Sequence, residues 1–336
     1  MKQSLVLILL FLSPFIFCQK DDTLRQLLDK IVSHAEGSSL YRMKVDWVKV
    51  KNTMSEMSKD AASVSDLSTA LKYLLQSMGD EHGRIFYKSQ MIAYYYGEQK
   101  DHQKSFNSRI LHQIQEGEVY KFETRLLHDN VGYVRIVGLP MGDNTLMAKQ
   151  IQEKICELAA KGAKKWILDL RYNGGGNMHP MAEGISLLIG NGNVGGSKGL
   201  TENENSSWNV KEGDFYYDDY SIRLKNDCKI RPFPKVAVLT SLYTTSSGEA
   251  IAVMFKGRKN TRFFGHKTLG MITVTDWKVL DESTTMTISV SYYMDRKGKV
   301  YTNYVDVDEI TPFEEMPLSE NDKATNQALL WLKGKS

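Results

Sequence analysis

Ser246 stands where a short apolar strand gives way to an apolar helix. Lys235-Val-Ala-Val-Leu-Thr240 reads as a buried strand, Ser241-Leu-Tyr-Thr-Thr-Ser-Ser-Gly-Glu249 as a turn, and the run from Ala250 to Phe255 as a helix. A serine at that junction meets the open amides and the positive dipole end of the helix, which favour an alkoxide or an oxyanion. A plain N-cap would carry the same residues. A second run, Leu168-Asp-Leu-Arg171-Tyr-Asn-Gly-Gly-Gly176, ends a buried strand in three glycines. Their backbone can approach a ligand closely and aim amides at an anion; a flexible turn at a sheet edge would look alike. The third run is Met78-Gly-Asp-Glu-His82-Gly83, at the end of a helix read over 65–78. A loop histidine can take a proton near neutral pH, or simply lie on the surface.

Two other patterns lack the context their chemistry needs. Gly190-x-Gly192-x-x-Gly195 has the dinucleotide spacing, and Gly195-x-Ser197-x-Gly199 that of a nucleophile elbow. Both motifs require a strand before and a helix after. A helix precedes the first, and the polar run 200–212 that follows the second is no packed helix.

The elements that must position these residues follow from periodicity. Residues 23–80 read as helical, with Leu24, Leu27, Leu28 and Ile31 on one face, and Leu67, Leu71, Leu74 and Leu75 on another behind a Ser65-Asp66 cap. The stretch 90–120 is ambiguous. From Val131 onward strands and helices alternate: strands at 131–137, 166–170, 235–240 and 262–265, and helices at 144–161, 181–189 and 247–257. Gly162 is placed to end the first of these helices. The Gly- and Asn-rich stretch 191–230 reads as surface loop with a strand or hairpin. Residues 272–301 alternate like antiparallel strands with a turn at Asp295-Arg-Lys-Gly298, and a last helix covers 322–333. Alternation followed by strands predicts an α/β fold with an antiparallel extension.

The chain has 336 residues, 42% hydrophobic and 25% charged, with a net charge of +3. This is an ordinary globular composition. Its basic residues are dispersed, so no nucleic-acid or acidic-membrane partner is expected. Met1-Lys2-Gln3, an apolar run from Leu5 to Phe17 and the polar Gln19-Lys20-Asp21-Asp22 read as a secretory signal over 1–18. A retained anchor and lipidation at Cys18 are the alternatives; Ile16-Phe17 before the cysteine disfavour the latter. No second run reaches spanning length, so no stable membrane insertion is expected after signal removal. Cys156 and Cys228 remain in the mature chain, and the sequence leaves open whether they pair. The histidines show no metal-ligand spacing.

Taken together, Gly-Asp-x-His, the Gly132-Tyr-Val-Arg-Ile136 strand, Leu-Asp-Leu-Arg-x-Asn-Gly-Gly-Gly and Thr-x-Ser-Ser-Gly-Glu resemble the tail-specific, C-terminal-processing serine peptidases, with the tricorn protease core as a relative. The resemblance runs from about residue 23 to the last helix. It implies a crotonase-like α/β core with a mixed sheet over 86–336 and a helical N-terminal subdomain over 19–85. It implies Ser246 as nucleophile, and Ser247 with Gly175 and Gly176 as the oxyanion hole. Met271 stands where the Ser–Lys branch carries its lysine, and 85–130 is too short for that branch's PDZ domain. The sequence is thus closer to the histidine branch, similar to nisin-resistance proteases, with His82 as base. His266 and His179 are competing bases. Tyr304-Val-Asp306-Val-Asp308 resembles the segment that supplies the third member, here Asp306. The implied activity is serine endopeptidase or carboxyl-terminal processing without metal or organic cofactor, on a peptide or unfolded chain; the signal sequence places the protein in a periplasm or outside the cell. The rival expectation is a non-catalytic binder of peptides or apolar ligands, as in the modules of the interphotoreceptor retinoid-binding protein, whose fold is similar.

Overall fold

The computed structural model describes residues 15–97, 100–117, 119–224 and 228–334. Of the expected signal at 1–18, residues 1–14 lie outside them. By packing, the chain divides into one unit of Met1–Gly97 with Thr275–Ser289 and another of Glu98–Val274 with Val290–Ser336.

The first unit opens with helices α1 (Phe15–Ser38), α2 (Trp47–Ser58) and α3 (Ser68–Met78). Asp46 caps α2 by accepting from the Lys49 amide. The leucine stripe of α3 is fully buried: Leu71, Leu74 and Leu75 are each at 0% exposure. Asp66 does not cap this helix. Its carboxylate accepts from Ala62 N and Ser63 Oγ, which closes a 3₁₀ turn over Val64–Leu67 and delays the α-helix to Ser68. Gly79 ends α3 in the left-handed conformation at φ 69°, which glycine adopts without a Cβ penalty. A tight hairpin of β1 (Arg84–Tyr87) and β2 (Gln90–Tyr94) follows.

The second unit holds the expected alternation. In order come α4 (Ser108–Glu116), β3 (Glu123–Leu127), β4 (Val131–Arg135), α5 (Asn144–Ala160), β5 (Lys165–Asp169), α6 (Met178–Gly184) and α7 (Ser186–Ile189). Three strands, β6 (Gly192–Lys198), β7 (Ser206–Lys211) and β8 (Asp214–Tyr217), precede β9 (Lys235–Thr240), α8 (Ser247–Phe255) and β10 (Thr261–Gly265). Strands β11 (Thr273–Val279) and β12 (Thr284–Asp295) give most of their residues 275–289 to the first unit, where Thr284–Thr287 pair antiparallel with β1. The chain closes with β13 (Glu309–Ile310) and α9 (Lys323–Lys333).

The main sheet of the second unit runs β13-β10-β9-β5-β4-β3, parallel except for the β3–β4 pair. Side chains alternate across it. Trp166, Leu168, Val236 and Val238 join α5, α6 and α8 in one core, while Ile167, Ala237 and Leu239 meet α9 on the other face. The end of β12, Tyr292–Asp295, pairs antiparallel with β6, and β6-β7-β8 continue that sheet. Within the 191–230 stretch, residues 192–217 are therefore more regular than their composition suggests: Val194, Trp208, Val210 and Phe215 turn into the core, while Ser207 and Asn209 alternate with them on the other face. Cys156 on α5 is disulfide-bonded to Cys228, with Cα atoms 5.6 Å apart, which settles the pairing that the sequence leaves open.

Candidate active site

Ser246 sits at φ 53°, ψ −118° immediately before α8. For a residue with a Cβ this conformation costs on the order of 1–3 kcal/mol, and it persists where surrounding bonds over-determine it. Those bonds are present. Ser241 Oγ donates to Arg171 O at 2.6 Å, Thr244 Oγ1 to Leu170 O at 2.8 Å, and Thr245 N to Asn173 O at 3.0 Å. The turn after β9 is thus stitched to the end of β5. Glu249, fully buried one turn into α8, accepts from Ser246 N at 2.9 Å. Its other oxygen accepts from Thr268 Oγ1 at 2.6 Å and Gly270 N at 2.9 Å. Burial outweighs these donors and pushes the Glu249 carboxyl up to about 7.

The glycine turn lies directly against this serine. A Cβ on Gly175, at φ 96°, would come 2.9 Å from Ser246 Cβ; one on Gly176, at φ 101°, would come 2.1 Å from Leu139 O. Ser247 Oγ donates to Gly176 O at 2.5 Å. Ser246, Ser247, Gly175 and Gly176 are therefore brought together. The Gly175 amide already donates to Asn173 Oδ1 at 3.0 Å, so its backbone packs against the serine with its donor engaged. The amides of Gly176 and of Ser247, at the first helical position, have no acceptor among the described residues. Two open amides beside a strained serine hydroxyl can bind a developing oxyanion.

His82 belongs to the first unit. Its turn is built around Asp80, which is fully buried and accepts from His82 N at 3.1 Å, Gly83 N at 2.9 Å, Ser289 N at 2.8 Å and Ser289 Oγ at 2.7 Å. Burial pushes the Asp80 carboxyl above its ordinary range. Asp306 belongs to the second unit, with an exposed carboxylate 3.8 Å from Lys267 Nζ; Asp308 Oδ2 accepts from Phe263 N at 2.7 Å. Of the competing bases, His266 places Nδ1 3.3 Å from Lys267 O. His179 follows the glycine turn, edge-on to Tyr217 and Tyr220 with ring centres at 5.5 and 5.0 Å. Burial lowers its pKa, and its Nδ1 has no partner among the described residues. Ser197, in the elbow-like pattern, lies within β6 and shares a hydrogen bond with Ser206 Oγ.

Sequence reasoning missed the residues that fix these groups from a distance. Asn173 holds both the glycine turn and Thr245. Thr268 and Gly270 hold the Glu249 carboxylate that fixes Ser246 N, and no local signal in the sequence marks them. Among the described residues no group of His, Cys, Asp or Glu is arranged to hold a metal ion.

A mixed α/β core carrying a strained serine between a glycine turn and a helix N-terminus has the form of a peptidase core, and the known proteins agree. The model of peptidase family S41 matches residues 130–312, more than half of the chain, and the chain belongs to that family. Membership of a peptidase family supports a peptidase role. Over 171 residues the chain is 29% identical to the nisin-resistance protein of Lactococcus lactis subsp. lactis, covering 50% of this chain and 49% of that protein. Over 172 residues it is 27% identical to the carboxy-terminal processing protease CtpA of Bacillus subtilis (strain 168), covering 51% of this chain and 32% of that protein. The chain thus spans half or less of the length of these relatives. A lipoprotein from Streptococcus agalactiae shares the fold, with a TM-score of 0.71 at 19% identity over 94% of this chain and 97% of that one.

Proposed function

We propose that this protein is an exported serine endopeptidase acting on peptides or unfolded chain ends. Ser246 attacks the scissile carbonyl as His82 takes its proton, and the amides of Ser247 and Gly176 receive the oxyanion. His82 then protonates the leaving amine, and water resolves the acyl-enzyme. Gly175 leaves room for Ser246, and Asp306 is the proposed orienting carboxylate for His82. The observation that carries this reading is the strained Ser246 beside two open amides, fixed by Glu249 and by the end of β5.

Export is supported by the apolar start of the sequence, by the disulfide and by the lipoprotein of like fold. Among the described residues no helix is long and apolar enough to cross a membrane.

The test is hydrolysis of a mixed peptide library by the mature protein, Ser246→Ala and His82→Ala, read by mass spectrometry. Wild type should cut, and each variant should lose activity by about 10⁴-fold or more. Folded protein that is inert in all three forms would move the binding-module reading ahead. Asp306→Asn with wild-type rates would remove Asp306 from the mechanism.

A further inference from the structure

Resting on the reading of His82 as the base, we infer that Arg84 is its positioning residue: one guanidinium nitrogen donates to the carbonyls on both sides of the histidine and so sets the direction of its side chain.

The clamp lies wholly within the first unit. Arg84 Nη1 donates to Glu81 O at 2.8 Å and to Gly83 O at 2.7 Å. From the other side, Asp80 Oδ1 takes the amides of His82 and Gly83, at 3.1 and 2.9 Å. The peptide group between Glu81 and His82 is therefore held at both ends, its carbonyl by the guanidinium and its amide by the carboxylate. The next peptide group is held through the Gly83 amide. Peptide groups are planar, so fixing these two planes fixes φ and ψ of His82, and with them the line along which its side chain leaves the backbone.

Both arms of the clamp are anchored. Asp80, fully buried, also accepts from Ser289 N at 2.8 Å and Ser289 Oγ at 2.7 Å. Arg84 starts from β1 with a partner on either side, Thr287 of β12 and Tyr94 of β2. A Cβ on Gly83 would come 2.8 Å from Leu75 Cδ2 and 3.0 Å from Asp80 Oδ2, so the turn has no slack toward α3. The guanidinium is half-buried, where water screens its hydrogen bonds less.

Asp80 alone would hold only the amides and leave the carbonyls of Glu81 and Gly83 free to tilt. A general base must lie within hydrogen-bond reach of the proton it takes, and a shift of about 1 Å can cost roughly 10²-fold in rate. Arg84 acts through His82, so its effect belongs to kcat and not to substrate binding. The run Asp80-Glu-His82-Gly-Arg84 thus carries the base with both of its supports at alternate positions.

The test is Arg84→Met in the full chain, alone and combined with His82→Ala, assayed on a peptide that wild type cuts. Arg84→Met should lower kcat roughly 10- to 100-fold, with KM within about twofold. In the His82→Ala background the same substitution should leave the residual rate within about twofold, because the group it positions is gone. An unchanged kcat in folded Arg84→Met, a loss confined to KM, or the same fold loss with and without His82 would overturn the inference. Should Met unfold the chain, Arg84→Gln, which keeps an amide donor, makes the same comparison. Full hydrolysis by His82→Ala would sink the base reading, and the Arg84 role with it; an inactive His82→Ala beside a fully active Arg84→Met sinks only the latter.

Discussion

Gly175 illustrates how little room the residues around Ser246 leave. Alanine there faces both a positive φ and a Cβ 2.9 Å from that of Ser246. Gly175→Ala is expected to lose at least 100-fold in kcat/KM, as for loss of oxyanion geometry, and to lower stability by about 1–3 kcal/mol; steady-state kinetics and thermal melting check both. Two buried carboxyls predict a pH effect. Glu183, fully buried, accepts from Phe215 N and Leu224 N. Burial pushes both Glu183 and Glu249 up to about 7, against roughly 4.3 for an unfolded glutamate. Between those values the folded chain binds more protons than the unfolded one. The stability these groups contribute is full below about pH 4.3 and lost as pH rises through 7. Melting followed from pH 4.5 to 8 should show that decline, and Glu183→Gln should flatten it.

At the scale of elements, buried polar groups fix where helices dock. Arg171, leaving the end of β5, is sandwiched between Asp169 and Asp322 at 2.7 Å from each. Asp322 also caps α9 by accepting from Thr325 N at 3.1 Å. The network ties α9 to the strand that leads into the glycine turn. Removing one partner leaves a buried charge uncompensated, so Asp322→Ala should cost about 3–5 kcal/mol in urea unfolding. The Cys156–Cys228 bridge joins residues 72 apart in sequence. Its removal by Cys156→Ser with Cys228→Ser should cost about 2–5 kcal/mol in the same measurement.

Over the whole molecule, legibility follows the range of the contacts. Strands β4, β5 and β9 and helices α5 and α8 are plain in the sequence because each buries a continuous or periodic apolar run. Within the second unit, Ser246 and the glycine turn, more than 70 residues apart, could be read as one group because each carries a local signal of strand, glycine or helix start. Strands β6 to β8 were only partly legible, as a strand or hairpin within a loop, because Gly- and Asn-rich segments take much of their order from neighbouring strands. The same holds for the disulfide and for the links of Asp80 to Ser289 and of Asn173 to Thr245, which join residues far apart in sequence. The division of the core was also partly hidden, since 275–289 returns to pack with the N-terminal residues.

The central claim is that Ser246 is the nucleophile. Treatment of the folded, mature protein with a fluorophosphonate, followed by peptide mapping, tests it most directly. The account predicts one adduct, on Ser246, lost in Ser246→Ala and strongly slowed in His82→Ala. An unmodified Ser246 in protein that hydrolyses peptides, or an adduct on another serine with activity lost alongside, would contradict it.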